Sequence, residues 1–340
     1  MHYSLPYILF ISFILIISII QLGIPFEERA RKSINYLVVY AYIVFLGFRG
    51  FIGWDWVNYY PTFMNIKSLS IDIALDKFDI GFVFYMALIK SLFKSFESFL
   101  VISTIINVYL LHLFFKRYLP TKYYALGFAT FFAFNGFILE TDLMRNIKSI
   151  LIFILALQYI EERKAIPYFA MIFVALLFHW SAIIYIPLYF FLHKEFPLKF
   201  ILIIFIIGNI IFLFQIEYIT PIIKAIASLM PEKISIKILG YLGSSLYSKS
   251  YGLTFGYIDR TLMIFFVLYY YNRIKNKKSN ILFLNSFIIY ICLFLFCSEI
   301  SIILQRVAGG FGYAYWILIP IIIHIVEKNI KPILFFFFLI

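Results

Sequence analysis

Residues 5–24 read LPYILFISFILIISIIQLGI and contain no charged side chain. An apolar segment of about 20 residues is long enough to cross the hydrocarbon core of a bilayer as one α-helix. No lysine or arginine precedes the segment, and no small-residue cleavage site follows it. These features predict a retained membrane helix and not a cleaved signal peptide.

Similar apolar segments recur along the rest of the chain. The 340 residues are 64% hydrophobic and only 14% charged, with a mean hydropathy of +0.97, whereas a soluble domain contains about 25% charged residues. Segments in lipid must satisfy their own backbone hydrogen bonds, and these lack the alternation of barrel strands, so they are predicted to be α-helices. The predicted helices are 5–24, 34–48, 80–93, 99–115, 123–139, 145–160, 167–178, 182–192, 198–214, 255–271, 281–296 and 311–326, followed by a short segment, 332–340.

The predicted fold class is an all-α polytopic integral membrane protein with a single transmembrane domain over residues 1–340. Segments of this length predict about 11–12 crossings. Cys292 and Cys297 lie in one apolar run and give neither metal-ligand spacing nor a disulfide framework, so no metal site is predicted.

The distribution of lysine and arginine predicts the orientation. The net charge of +12 arises mostly in short loops, where basic residues mark the cytoplasmic side and contact anionic membrane lipids, so it does not indicate a nucleic acid partner. The N-terminus is then outside, and residues 49–78 and 215–254 form external loops. Part of the second loop is predicted to be an interfacial helix, because Ile219, Ile222 and Ile226 share one face.

This orientation requires one segment to be re-entrant or half-crossing. Segment 123–139 is one choice, because two glycines and Asn135 weaken it as a plain span, and irregular backbone is tolerated where it lines a protein cavity. That choice leaves the basic residues of 116–122 outside, against the positive-inside rule. The alternative is segment 80–93, which puts them inside.

Polar residues that do not orient loops fall at external helix ends. They are Arg49, Asp55, Asp79, Asp142, Arg145, His179, Arg260, Gln305 and Arg306. An arginine at mid-membrane costs about 2.5–3.5 kcal/mol on insertion scales, so the external arginines require an explanation. One explanation is a bound anion, and the other is internal ion pairs with Asp142 or Asp259.

Arg145 is the most informative of these residues. It opens a predicted helix, where free N–H groups and the helix dipole favour an anion. Asp142 precedes it by three residues and could pair with it or cap the helix. The guanidinium fork matches phosphate oxygens, so a diphosphate could be held by Arg145, Arg260 and Arg306.

Two further features could serve chemistry. Asp55 lies between Trp54 and Trp56, and aromatic faces beside a carboxylate suit a sugar; the alternative is an aromatic belt at the membrane surface. His179 follows a predicted helix near the outer face and could transfer a proton near neutral pH; the alternative is a structural role.

Five short motifs occur in a fixed order along the chain. They are Arg49-Gly50 to Asp55 and Tyr59, then Asp79-Ile80-Gly81-Phe82, then Arg145-Asn146, then His179-Trp180-Ser181-Ala182, and finally Gln305-Arg306. Together they resemble the EpsG family of Wzy-type polysaccharide polymerases over nearly the whole chain. The sequence departs from that pattern where Asp79 replaces the expected Glu and Asn146 replaces the commoner Gln.

The resemblance implies a GT-C-like helical fold and a glycosyltransferase of the bacterial inner membrane with its active site facing the periplasm or exterior. Such enzymes polymerise the repeat units of O-antigen, capsule or exopolysaccharide. Both the donor and the acceptor unit are carried on undecaprenyl diphosphate. The enzymes use no metal, cofactor or nucleotide sugar. A flippase and a chain-length regulator are implied as partners. Direct displacement would invert the anomeric centre.

The implied roles are distributed over the motif residues. Arg145, with Arg306 and Arg260, would hold the diphosphate, and Asp55 or His179 would act as the base, with His179 preferred for the base and Asp55 for sugar contact. The other expected substrate-binding residues are Arg49, Trp54, Tyr59, Asp79, Asp142, Asn146 and Gln305.

Three other functions fit the composition less well. A membrane O-acyltransferase usually carries an early cytoplasmic histidine, whereas His2 is predicted to be outside. A flippase or transporter often shows repeats with interrupted helices in matching halves, and no such symmetry is present. A scaffolding subunit would leave the external arginines without a purpose.

Overall fold

The computed structural model describes residues 4–66, 78–230, 232–243, 252–300 and 307–327. These residues contain helices and no β-strand, which confirms the all-α polytopic class. The helices are α1 (Leu5–Gly23), α2 (Glu28–Gly47), α3 (Trp56–Asn65), α4 (Ile80–Leu92), α5 (Phe96–Tyr118), α6 (Tyr124–Phe131), α7 (Phe137–Thr141), α8 (Met144–Glu161), α9 (Ala165–Phe178), α10 (Leu188–Phe191), α11 (Leu198–Leu213), α12 (Ile219–Ser228), α13 (Glu232–Gly243), α14 (Phe255–Tyr269), α15 (Tyr271–Ile274), α16 (Lys278–Phe296) and α17 (Tyr313–Glu327).

Within the described part of the chain, four helical stretches are long and apolar enough to cross a membrane. They are Leu5–Gly23, Phe96–Tyr118, Lys278–Phe296 and Ala308–Glu327. Shorter apolar helices lie between them, such as α4, α9 and α11. The predicted number of crossings therefore stays a prediction.

The chain forms two compact units. The first unit contains Met1–Phe191 and Tyr315–Ile340, and the second unit contains Leu192–Ala314. The single transmembrane domain expected over residues 1–340 stays a prediction.

The two ends of the first unit carry different ion pairs. At one end, Arg117 pairs with Glu161 at 3.5 Å and Glu162 at 3.1 Å, and the Tyr123 hydroxyl donates to Glu327 Oε2 at 2.5 Å. This end is called the basic-loop end, because Glu162 adjoins the basic residues Arg163 and Lys164 of the short loop between α8 and α9, and basic loops mark the cytoplasmic side. The opposite end carries Arg49, Asp79, Asp142 and Arg145, and is called the site end.

The chain from Tyr123 to Asp142 runs from the basic-loop end to the site end. It bends at Phe134 (φ −117°, ψ 84°) and Asn135 (φ 74°), a left-handed conformation that asparagine tolerates better than most residues. The Trp316 indole donates to the freed Phe134 carbonyl at 3.1 Å. The kink is therefore satisfied inside the protein, and the segment traverses the unit.

Helix α4 begins at the site end, because Asp79, directly before it, pairs with Arg145 at 2.8 Å. Its thirteen residues span about 20 Å. The next helix, α5, begins with Phe96, whose ring stacks on Phe51 with centroids 5.9 Å apart. Whether 80–93 or 123–139 is the half-crossing segment stays a prediction.

An aromatic cluster fixes α3 beneath the loop that bears Asp55. Buried rings of α3, α4 and α5 pack together, among them Tyr59, Phe63, Phe82 and Phe99. Aromatic side chains therefore form a core at this end.

In the second unit, Glu299 anchors the predicted interfacial helix. Its carboxylate accepts hydrogen bonds from the backbone N–H groups of Tyr218 at 2.6 Å, Ile219 at 2.8 Å and Thr220 at 3.0 Å. These are the free N–H groups that open α12. Helix α12 exposes the apolar side chains Ile222 and Ile226, and Leu229 directly after it is exposed as well.

This anchor is expected to depend on pH. Burial raises the pKa of the Glu299 carboxyl, but the N–H groups of Ile219, Tyr218 and Thr220 outweigh burial and hold the pKa below its usual value of 4.5. A lowered pKa stabilises the fold above the unfolded value, and that contribution is lost as the pH falls through the folded value.

Replacing Glu299 with alanine should speed hydrogen exchange of the first amides of α12 by about tenfold or more, since a hydrogen bond to a charged group contributes about 1.5–3 kcal/mol. Glu299→Gln keeps a hydrogen-bond acceptor, so the amides should stay protected. That protection should no longer decrease as the pH falls, because glutamine does not titrate. Unchanged protection in Glu299→Ala would mean that the carboxylate does not hold the helix.

Candidate functional site

Residues 140–148 form the centre of the candidate site. This segment joins α7 to α8 and contacts the loop after α2, the loop before α4, helix α5 and the turn after α9. The contacting side chains are those of Glu140, Asp142, Arg145, Asn146 and Lys148. The first four sequence motifs, which are far apart in the chain, therefore meet at one place in the first unit.

Arg49 joins the loop after α2 to this centre. Its Nη1 donates to the Leu46 carbonyl at 2.7 Å and to Thr104 Oγ1 at 3.1 Å, and its Nη2 donates to the Glu140 carbonyl at 2.9 Å. Both terminal nitrogens are thus held by protein oxygens. Arg49 fixes the loop and places a positive charge under it.

Asp142 receives the tip of the same loop. The Trp54 backbone N–H donates to Asp142 Oδ1, and the Thr141 hydroxyl donates to Oδ2 at 3.0 Å. Asp142 therefore neither caps α8, which has no side-chain cap, nor pairs with Arg145. The Trp54 ring is 86% exposed, which leaves its face open for stacking.

Gly53 allows this close approach, and its substitution gives a testable outcome. Gly53 has φ +85°, and a Cβ there would overlap Asp142 Oδ1, while Gly50 has φ +65° with nothing within 4 Å. Alanine at either position is strained by about 1–2 kcal/mol. Gly53→Ala should also lose the Trp54 to Asp142 contact, so it should unfold more easily than Gly50→Ala by a further 1.5–3 kcal/mol or so.

The measurement is thermal unfolding of the purified protein in detergent. Gly50→Ala serves as the matched control, because it adds the same methyl group at a positive φ without a clash. Equal stability of the two variants would contradict the structural role of the Asp142 contact.

Arg145 lies at the start of α8, as the sequence predicts, but its ionic partner comes from another motif. Its Nη1 pairs with Asp79 Oδ2 at 2.8 Å, and its guanidinium lies over the Phe78 ring at 4.8 Å. The side chains of Arg145 and Asp79 remain 20% and 17% exposed. Among the described atoms, the buried Nε of Arg145 has no hydrogen-bond partner.

His179 is held at the turn after α9. The Ser181 N–H donates to its Nδ1 at 3.1 Å, and the Ser181 hydroxyl lies 2.7 Å from the same nitrogen. The hydroxyl also lies 3.4 Å from Asn146 Oδ1. Because Nδ1 accepts a backbone N–H, the neutral ring carries its proton on Nε2. The histidine is 4% exposed.

Asp55 starts α3. Its carbonyl accepts from Asn58 N at 2.9 Å and Tyr59 N at 3.2 Å, and its side chain is half-buried beside the exposed Trp54. Tyr59 is buried, with its ring stacked on Phe78 at 5.2 Å. Asp55 is thus positioned at the surface of the site, whereas Tyr59 supports it from below.

The remaining predicted anion ligands are Arg260 and Arg306, and Gln305 is the neighbouring predicted substrate-binding residue. Arg260 belongs to the second unit, where its guanidinium lies 4.2 Å from the Phe294 ring centre and donates to the Gly256 carbonyl at 2.5 Å. Gln305 and Arg306 lie outside the described residues. Their association with Arg145 stays a prediction.

Four buried polar residues of the centre were missed by the sequence reasoning. They are Tyr42, Asn107, Glu140 and Lys148. The signal for Lys148 was present, since a lysine inside an apolar helix indicates a functional or paired position. Glu140 directly follows the predicted helix 123–139, and it is only 2% exposed.

Within the described ranges, no group of three His, Cys, Asp or Glu side chains is placed to hold a metal ion. The model of the EpsG family matches residues 32–340. No curated protein matches the chain, and no solved structure matches it.

Proposed function

Because the chain belongs to the EpsG family, whose members are Wzy-type polysaccharide polymerase-like proteins, we propose that it joins glycan repeat units carried on undecaprenyl diphosphate. The reaction takes place at the external face of the bacterial cytoplasmic membrane. The observation that carries this proposal is Arg145, a partly exposed arginine at a helix N-terminus with an unpartnered donor.

The diphosphate of the donor binds at Arg145. The positive end of α8 and the Arg145 fork both favour phosphate oxygens, and the unpartnered Nε gains an acceptor. Asp79 holds the guanidinium in place before substrate arrives. As the diphosphate leaves, the negative charge on its oxygen grows, and Arg145 stabilises that charge.

The acceptor sugar binds beside Trp54 and Asp55. A hydroxyl oxygen of the acceptor attacks the anomeric carbon of the donor while the carbon–oxygen bond to the diphosphate breaks. Asp55 takes the hydroxyl proton. The Nδ1 of His179 already accepts a hydrogen bond from Ser181, so His179 serves as a donor through Nε2 instead of as the base. Direct displacement inverts the anomeric centre.

The external location rests on the loop charges. The site end of the first unit lies opposite the Arg163-Lys164 loop, and Arg117 pairs with Glu161 and Glu162 beside that loop. Basic loops mark the cytoplasmic side. The proposal therefore places the chemistry where completed lipid-linked units are exposed.

Deletion of the gene tests this function. The deleted strain should accumulate single repeat units on lipid at the outer face, where an added glycosidase digests them in intact spheroplasts, and should lose the polymer ladder. Plasmid-borne wild-type protein should restore the ladder. Units trapped on the cytoplasmic face would indicate a flippase, and an intact ladder that lacks only acyl groups would indicate an acyltransferase. Either result would overturn the proposal.

A further inference from the structure

A buried ionic cluster underlies the candidate site in the first unit. The Lys148 ammonium donates to Asn107 Oδ1 at 2.5 Å and to the Ser103 carbonyl at 2.8 Å. The Asn107 amide donates to Glu140 Oε1 at 2.9 Å, and the Tyr42 hydroxyl donates to the same oxygen. Tyr42, Asn107, Glu140 and Lys148 are each at most 2% exposed. We call these four residues the Lys148–Glu140 bridge.

Asn107 has only one workable orientation in the Lys148–Glu140 bridge. Its carbonyl oxygen faces the ammonium, which can only donate, and its NH₂ group faces the carboxylate, which can only accept. The reversed amide would set donor against donor and acceptor against acceptor. Asn107 therefore couples the positive and negative charges through two directed hydrogen bonds.

Stability alone does not account for such a cluster. Charged groups at membrane depth are costly, and well-packed apolar residues of similar volume often replace a buried ion pair without loss of stability. The two charges must therefore be explained by what they hold in place.

The Lys148–Glu140 bridge holds both sides of the turn that presents Arg145. On one side, Glu140 offers its backbone carbonyl to Arg49 at 2.9 Å, two residues before Asp142 binds Trp54. On the other side, Lys148 lies three residues after Arg145 on the same helix face. Its bonds to α5 fix the rotation of α8 about its axis, and with it the direction of Arg145.

We propose that Lys148 and Glu140, joined by Asn107, are positioning residues that set the placement of Arg145 relative to the Asp55 loop. This inference rests on the proposed function, in which Arg145 binds the leaving diphosphate and Asp55 takes the proton. A misplacement of about 1 Å between reacting groups can cost about 10²-fold in rate. Neither residue touches the substrate.

Paired substitutions separate positioning from simple stability. Lys148→Met and Glu140→Gln each leave one charge buried alone, so less protein should reach the membrane. The double variant Lys148→Met/Glu140→Gln removes both charges and should reach the membrane at the wild-type level. Its kcat for polymer formation from purified lipid-linked units should nevertheless fall by about 10²-fold with KM changed less than about threefold.

Two further variants keep the test decisive. Tyr42→Phe retains the ring and removes one hydrogen bond to Glu140, so it should fold and lower kcat by several-fold at unchanged KM. Arg117→Gln/Glu161→Gln removes a charge pair from the basic-loop end and should keep the wild-type kcat. Wild-type kcat in the double variant and in Tyr42→Phe, or a rise in KM alone, would overturn the inference. Absence of product with wild-type protein would instead overturn the proposed function.

Discussion

Replacing Arg145 with alanine is expected to lower kcat for polymer formation by about 10²–10³-fold, the loss typical of removing one donor that stabilises charge in the transition state. The reason is the position of Arg145 at the N-terminus of α8 with its Nε unpartnered. Arg145→Lys should recover little of this loss, because an ammonium lacks the planar fork that binds two phosphate oxygens. The measurement is the rate of chain extension from purified lipid-linked units in detergent.

The Asp79 partner distinguishes anion binding from simple ion pairing. If Arg145 served only to pair with Asp79 at 2.8 Å, then Asp79→Asn and Arg145→Ala would be equally damaging. In the proposed mechanism Asp79 holds the guanidinium only until the diphosphate takes its place, so Asp79→Asn should retain most of the activity and, without the repelling carboxylate, bind inorganic pyrophosphate more tightly than wild type. Arg145→Ala should bind it more weakly.

Arg117→Ala provides a control for the loss of an ion-paired arginine. Arg117 contacts Glu161 and Glu162 at the basic-loop end, and its removal should leave chain extension and pyrophosphate affinity unchanged. Equal losses in Arg145→Ala and Arg117→Ala would show that Arg145 acts on the fold and not on the substrate.

Local sequence patterns predict the helices well because the signals are local. The apolar run at 5–24 corresponds to α1, and Arg145 lies at the start of α8 where the polar-to-apolar change puts it. Residues 219–226 form the predicted helix α12. In each case the pattern and the structure involve neighbours in the chain.

Partners across the fold could not be predicted in the same way. Sequence spacing offered Asp142 as the partner of Arg145, because the two are three residues apart, whereas the structure pairs Arg145 with Asp79, which is 66 positions away. That distance is closed by packing between helices, as where α4 approaches α9 so closely that a Cβ at Gly81 would overlap Leu177. Spacing within one helix contains no information on such a contact.

The half-crossing segment shows a similar limit of local reasoning. Asn135 and the two glycines of segment 123–139 suggested that this segment does not cross the membrane. The chain does bend at Phe134 and Asn135. The bend is satisfied by Trp316, a residue far away in sequence, and so does not stop the traverse. Helix α4 looked regular in sequence, and the structure gives it 13 residues, so the choice of the half-crossing segment stays a prediction.

Replacing Asp55 with asparagine is expected to lower kcat by about 10²–10⁴-fold, the range for loss of a general base, with little change in KM. Asparagine keeps the size and hydrogen-bonding capacity of the side chain at the start of α3, so the fold should persist.

His179→Gln gives the contrasting test. Because the Nδ1 of His179 accepts from Ser181, the ring supplies a donor, and glutamine can replace a donor but not a base. His179→Gln should therefore retain at least about tenfold more activity than Asp55→Asn. The opposite order would assign the proton transfer to His179.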